Sequence, residues 1–276
     1  MILLISNDKR MAYLSQYLKT LDVDVCVYDN QALAFDLNMM QEVEYLILPF
    51  GGLSETGQIA NTSLILTKEV LNAMPRHATI FTPIRYPKLI ALLTEVSRTL
   101  EVIFDHDEVA IYNSIPTAEG VVYHMIQQTN ATIHQSKVLV VGAGRTGMTI
   151  ARTLKALGAQ VSVTYRQEKD AARLFEMGVE PVHIDSMVKT LSSYETIVNT
   201  VPVMLFSKTE LDQVNQACYI IDVSSKPGGV DFEYAKKVGI IAELTGSLPS
   251  YIAPKTAAYY LFKFIQNYMM TNHSIL

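Results

Sequence analysis

The sequence predicts an α/β chain of two doubly wound domains, each a parallel sheet with helices on both faces, and a cleft between them. Three observations predict it. Short β-rich runs alternate with segments of helical period twice along the chain, once before residue 110 and again after residue 137. The chain's 276 residues suffice for two separate cores. The hydrophobic content of 49%, with a mean hydropathy of +0.19, suits strands that are apolar on both faces, as parallel sheets require.

The first domain is expected over residues 1–115. Ile2–Ile5 is an apolar run that meets charge at Asp8, so it reads as a first strand and not as a secretory signal. Met11, Leu14 and Leu18 then fall on one helical face. Val23–Tyr28, Tyr45–Leu48, Thr79–Phe81 and Val102–Phe104 are the further strands. Pro49-Phe50-Gly51-Gly52 follows one of them at the carboxyl edge, where open α/β sheets bind ligands. At the junction, AIYNSIPTAEG (110–120), Pro116 suits the first turn of a helix and Glu119 complements its dipole. A linker helix is therefore expected over 116–130.

The second domain is expected over 131–253, with strands Val138–Val141, Gln160–Thr164, Thr196–Asn199, Tyr219–Val223 and a last one near Ile240–Ala242. Its first strand runs into Gly142-Ala143-Gly144-Arg145-Thr146-Gly147. A helix follows, with Ile150, Leu154 and Leu157 on one face and Gly158 as its stop. Strand, glycine turn and helix in this order make a dinucleotide site. Gly142 serves the tight turn, Gly144 the approach of a pyrophosphate, and Gly147 the close packing of helix on strand. The phosphates then meet the positive end of the helix. Both domains are thus Rossmann-like, the first a substrate domain of flavodoxin or Rossmann type. Pro254 opens a last helix over 254–272 with Ala257, Leu261, Phe264 and Tyr268 on one face. By analogy with two-domain dehydrogenases it is expected to pack back on the first domain.

An NAD site places Asp or Glu about 20 residues after the glycines, to bind the ribose hydroxyls. Here the strand ends Thr164-Tyr165-Arg166, with no acid until Glu168. Arg166 can pair with a 2′-phosphate in bidentate fashion, which favours NADP over NAD. Thr200, Val201 and Pro202 after one strand, and Val223 at the end of the next, are expected along the nicotinamide. A net charge of −5 without a basic stripe argues against nucleic acid. The apolar stretch TAAYYLFKFIQNYMM is short and holds Lys263 and Gln266, which argues against a membrane span. Six histidines and two cysteines, Cys26 and Cys218, show no metal-ligand spacing, and the thiols read as buried residues of a cytoplasmic enzyme.

Several blocks keep their order along the chain: IYNSIPTAEG (111–120), TIHQS (132–136), GAGRTGMTIARTLKALGA (142–159), EMGVEP (176–181), Asn199–Pro202, SSKPGGVDFEYA (224–235) and APKTA (253–257). On these the chain resembles the dipicolinate synthase A-subunit family. The resemblance implies oxidation of dihydrodipicolinate, or its hydroxy-tetrahydro precursor, to dipicolinate with NADP⁺ during spore formation. It also implies the mother-cell cytoplasm and a separate flavoprotein-like B subunit.

Hydride removal from such a ring needs a proton acceptor and cations for two carboxylates. Glu119 and Lys226 are the catalytic candidates; Ser114, Thr117, Lys226 and Lys255 are the substrate candidates. Arg145 serves either the substrate or the cofactor phosphates, and His134 is the alternative base. Self-association is expected, as is common in two-domain dehydrogenases. Two other readings stand beside this one. The chain is then a nucleotide-binding partner whose catalysis resides in the B subunit, or another two-domain dehydrogenase acting on a small carboxylate. The chain departs from the family pattern at Ser6–Arg10, where a glycine turn is replaced and backbone access to a ligand is expected to be lost. It departs also at Phe81–Arg85, where Arg85 is either an extra carboxylate contact or surface, and at Leu244–Ser250.

Overall fold

The computed structural model describes residues 1–29 and 35–272. The chain divides into two compact units, Met1–Ala110 with Ala253–Leu276, and Ile111–Ile252. The first unit holds a five-stranded sheet: β1 (Ile2–Ile5), β2 (Val25–Tyr28), β3 (Tyr45–Ile47), β4 (Thr79–Thr82) and β5 (Thr99–Val102). Its order is β2-β1-β3-β4-β5 with every pair parallel, so the chain reverses its direction of winding between β1 and β3. Its helices are α1 (Lys9–Leu18), α2 (Leu37–Met40), α3 (Lys68–Ala73), α4 (Pro87–Thr94) and, from the end of the chain, α11 (Pro254–Asn272).

Period-two alternation along β1 sends Ile2 and Leu4 to one face and Leu3 and Ile5 to the other. Ile2 and Leu4 share a core with Met11, Leu14 and Leu18 of α1 and with Ala258, Leu261, Phe262, Phe264 and Ile265 of α11. Leu3 and Ile5 join Leu46, Ile80, Leu71 and Leu89 on the second face. Each such side chain contributes about 1.5–3 kcal/mol by leaving water. The strand expected at Val102–Phe104 lies instead at Thr99–Val102, and Ile103–Asp105 is a single 3-10 turn. As an edge strand β5 leaves Thr99 exposed and shows little apolar pattern, whereas the apolar run beside it mimics a strand.

Helix α5 (Asp107–Gln128) begins well before Pro116, which lies in its interior. The expectation of a linker helix opening at Pro116 is therefore corrected. Asp107 and Glu108 supply the acids of the first turn instead of Glu119, which is exposed in mid-helix. An interior proline costs about 3 kcal/mol in an isolated helix. Here Ala118, Val121 and Met125 are buried in the second unit's core, which outweighs it. Around the proline, hydroxyls reach back to carbonyls of the preceding turn: Ser114 Oγ to Ile111 O at 2.6 Å and Thr117 Oγ1 to Asn113 O at 2.9 Å.

The second unit's sheet holds β6 (Lys137–Val141), β7 (Gln160–Tyr165), β8 (Glu180–His183), β9 (Thr196–Asn199), β10 (Tyr219–Asp222) and β11 (Ile241–Leu244). Its order, β11-β10-β9-β6-β7-β8, is parallel throughout and is that of a dinucleotide-binding fold. Helices α6 (Arg145–Ala156), α7 (Glu168–Glu176), α8 (Lys208–Leu211), α9 (Phe232–Lys237) and α10 (Leu248–Ile252) flank it. Strand β8 is not expected from the sequence, because its residues EPVH include Pro181. On an edge a proline is tolerated. Leu157, expected on the buried face of α6, is the C-cap residue and is 44% exposed. Gly158 ends the helix at φ +86°. Among the described residues no helix is long and apolar enough to cross a membrane.

Gly120 of α5 faces Leu248 of α10, where a Cβ would come 2.9 Å from the leucine Cβ. Gly→Ala inside a helix normally stabilises by about 1 kcal/mol. Gly120→Ala should instead lower stability by about 1–3 kcal/mol through overpacking, read as a reduced denaturation midpoint. A stabilised variant would refute this contact.

Candidate functional site

The end of β6 and the start of α6 form the turn on which the site is built. Gly142 sits at φ +106°, and its N–H donates to Thr164 Oγ1 at 2.9 Å, at the end of β7. A Cβ there would fall 2.6 Å from Thr200 Oγ1 and 2.9 Å from Val201 Cγ2. At Gly147, in the first turn of α6, a Cβ would lie 1.9 Å from the Gly142 carbonyl oxygen. Both glycines are therefore demanded by the protein's own packing.

Gly144 differs. Its backbone is ordinary and extended (φ −81°, ψ −175°), and a Cβ there would meet nothing within 4 Å. The fold does not need glycine at 144, and the backbone there stands open. Gly144 is also the N-cap of α6, and no side chain caps that end. Such a terminus is suited to phosphate, with Arg145 exposed and Thr146 half-buried in its first turn.

A pocket of about 350 Å³ opens beside this turn, lined by Gly142, Ala143, Gly144, Thr164, Tyr165, Arg166, Gln167, Lys169, Asp170, Ile184, Val201 and Leu205. Arg166 is thus brought to the glycine turn, as its place after β7 suggests. Lys169 and Asp170 join it without having been expected there. Both stand in the first turn of α7, directly after the strand end, whereas Glu168, the first acid after the strand, does not line the pocket.

On the far side of the turn two buried polar groups interlock the loops after β9 and β10. Thr200 Oγ1 donates to Val141 O at 2.8 Å. Asn199, fully buried, accepts from Val201 N at 3.1 Å and donates to Val201 O at 3.0 Å. Asp222, also fully buried, accepts from Ser224 N (2.9 Å), Ser224 Oγ (2.6 Å) and Gly229 N (2.6 Å). These donors offset the desolvation of the Asp222 carboxylate and shape the 224–229 turn. A Cβ on Gly229 would come 2.6 Å from Asn199 Nδ2, so the turn is pressed against the Asn199 loop. Val223 N donates to Asn199 O at 2.9 Å, Pro202 is exposed, and Lys226 is exposed at the tip of the turn. The sequence signal for Asp222 is an aspartate two residues before a serine, an Asx turn.

Other candidates fare differently. Ser114 is 1% exposed and bonded to Ile111 O and to Thr149 Oγ1 (2.7 Å); Thr117 is 7% exposed and bonded to Asn113 O. Their hydroxyls fasten α5 to itself and to α6, which corrects the expectation of substrate contacts. His134 lies beside Gly158, in the segment leading into β6 and hence at the amino edge of the sheet. The length of β6, about 15 Å, separates it from the glycine turn, so it is excluded as a base there. Lys255 is exposed in the first turn of α11, in the first unit. Arg85 forms an exposed ion pair with Asp105 at 2.5 Å and is a surface residue. A larger pocket, about 820 Å³, opens at the amino edge of the second sheet around Gln135, Gly158 and Gln160. It holds none of the glycine turn, so size does not identify the site.

Residues 2–103 match the family model for the N-terminal domain of the dipicolinate synthase A subunit. Residues 116–226 match that of the D-isomer specific 2-hydroxyacid dehydrogenase, NAD binding domain. The chain is 41% identical over 221 residues to the dipicolinate synthase A subunit of Bacillus subtilis (strain 168), covering 79% of this chain and 74% of that one. The crystal structure of the dipicolinate synthase A subunit from Bacillus halodurans superposes with a TM-score of 0.90 at 35% identity over 97% of both chains. D-lactate dehydrogenase from Escherichia coli, at 13% identity over 99% of this chain and 97% of that one, shares the fold with a TM-score of 0.65. The second unit is therefore a nicotinamide-dinucleotide-binding domain of the dehydrogenase type.

The glycines divide by experiment. Gly144→Ala should leave the thermal midpoint within about 1 °C while weakening dinucleotide binding roughly tenfold or more. Gly147→Ala should lose several degrees of thermal stability with or without nucleotide. Equal effects in the two variants would refute the assignment of Gly144 to a ligand.

Proposed function

The chain belongs to the dipicolinate synthase A-subunit family, and from that premise we propose that it oxidises dihydrodipicolinate to dipicolinate with NADP⁺. The hydroxy-tetrahydro precursor would enter the same reaction after losing water. The observation that supports the reading is the turn at 142–147, where a Cβ at Gly144 would meet nothing within 4 Å and backbone at the uncapped start of α6 is left open.

The ring loses a hydride from carbon and one proton, and the products are dipicolinate, NADPH and H⁺. The nicotinamide supplies the hydride acceptor when bound. Aromatisation drives the step, so the protein's task is to hold the ring and its carboxylates and to take the proton. In this proposal the α6 terminus and Arg145 hold the pyrophosphate. Arg166 and Lys169 hold the 2′-phosphate, two cations against the single carboxylate of Asp170. Asp170 is the observation on the side of NAD, since a carboxylate there suits a ribose hydroxyl. Thr200, Val201, Pro202 and Val223 lie along the nicotinamide. Lys226 is the cation assigned to a carboxylate, and Glu119, exposed on α5, is the proton acceptor. Membership of a family of A subunits supports a B subunit partner, and with it a cytoplasmic assembly in a sporulating cell.

The test is NADPH formation from freshly generated dihydrodipicolinate, by the chain alone and with its B subunit. Arg166→Ala should raise KM for NADP⁺ about 10–100-fold and leave KM for NAD⁺ unchanged, the loss of charge-assisted hydrogen bonds. An unaltered preference for NADP⁺ would remove Arg166 from the site. Glu119→Gln and Lys226→Ala should each reduce turnover about 100-fold or more in the complete pair. Full turnover in both would assign the catalysis to the B subunit.

A further inference from the structure

The amino edge of the second sheet, opposite the glycine turn, holds a pocket of about 440 Å³ that the dinucleotide does not use. It is enclosed by the end of α5, the segment that leads into β6, and the starts of β9 and β10. Its floor is buried: Met125, Thr196, Cys218 and Tyr219 are each at most 3% exposed. Tyr219 spends its hydroxyl on Glu243 Oε2 at 2.7 Å, and the Cys218 thiol reaches Tyr219 O at 3.8 Å. Thr196, 1% exposed, differs from both. Among the described residues its hydroxyl has no hydrogen-bond partner, and it is left facing the pocket it lines. A buried hydroxyl without a partner costs stability that a valine of nearly the same shape would not.

The charge around this hydroxyl has one sign. Glu195, exposed and next to Thr196 in the chain, is the only charged residue in the lining, which contains no lysine, arginine or histidine. It forms no ion pair among the described residues. Burial pushes the Cys218 thiol up to about 12, so it stays neutral. Helix α5, 22 residues long, ends here, with Gln128 and Thr129 in the wall and no basic residue in its last turn. The final carbonyls of a helix lie beyond its hydrogen-bond ladder and form the negative end of its dipole, which favours a cation. Met125, Tyr219 and Ile241 supply apolar surface beside these groups. The volume is that of a small-molecule site.

We propose that this pocket is a second ligand site of the chain, for a small organic ammonium with a compact apolar body. Glu195 and Thr196 Oγ1 accept from the ammonium, and Met125, Tyr219 and Ile241 cover the body. A carboxylate is rejected, because no group in the lining neutralises it. The site is separate from the proposed function, since it lies at the opposite ends of the strands that carry the Asn199 and Asp222 loops.

The probe is phenethylamine, protonated at neutral pH, titrated into the full chain by calorimetry beside phenylacetate, an anion of similar shape. Saturable binding of the amine and none of the anion is expected. Glu195→Gln should weaken phenethylamine about fivefold, the loss of an exposed ion pair. Thr196→Val should weaken it about fivefold as well, the loss of one hydrogen bond. Dinucleotide affinity should hold in both variants, which controls for folding. The denaturation midpoint of Thr196→Val should stay level or rise, because the hydroxyl it removes serves no partner in the fold. A lowered midpoint would return Thr196 to the fold and overturn the site. So would no saturable binding of phenethylamine, equal binding of phenylacetate, or unchanged phenethylamine affinity in both variants. A crystal of the complex with the amine outside this pocket has the same consequence.

Discussion

Gly147 approaches the Gly142 carbonyl so closely that a methyl group would stand 1.9 Å from the oxygen, and much of the second unit depends on that contact. It seats α6 directly over the end of β6, so the helix terminus meets the sheet at its carboxyl edge. With the helix so placed, Ile150 and Leu154 enter the core beside Val138 and Val140. The uncapped end comes to lie beside Gly144, where backbone and open space coincide. Any side chain at 147 would lift the helix and move its terminus and the core together.

The loops around the turn are held by polar groups that never reach solvent. Asn199 and Asp222 close the segments after β9 and β10 on themselves, and Gly229 is pressed between them. A carboxyl group buried in such a place is tolerable because three donors converge on it. The effect is to brace the 224–229 loop from beneath while exposing Lys226 at its tip.

The carboxyl edge of the first sheet is constructed by another rule. Instead of glycines cradling a phosphate, it brings together a buried arginine, an asparagine and an aromatic ring after β1 and β3. The segment expected to be closed to ligands by its lack of glycine leaves Asn7 Oδ1 and Arg10 Nε buried without a hydrogen-bond partner.

The parallel sheets are legible in the sequence because strands buried on both faces must be apolar throughout, as in Leu3–Ile5 and Val138–Val141. The glycine turn is legible because Gly142 and Gly147 answer to sterics that operate within a few residues. Where an element is exposed, that pressure vanishes: edge strand β8 can contain Pro181, and edge strand β5 is less apolar than the run beside it. Helix α5 begins ahead of Pro116 because burial of Val121 and Met125 outweighs a local rule. Lys169 and Asp170 give no sequence signal because they enter the pocket from the helix after the strand. Ser114 and Thr117 mislead because a hydroxyl's partner is not written in its neighbours. The sequence alone thus determined the alternation of strands and helices and the dinucleotide turn, since backbone geometry and hydrophobic period act over short stretches of chain. Tertiary structure alone decided which polar side chains line the pocket beside the glycine turn and which are spent on the fold, because a hydrogen bond's other half comes from residues distant in sequence.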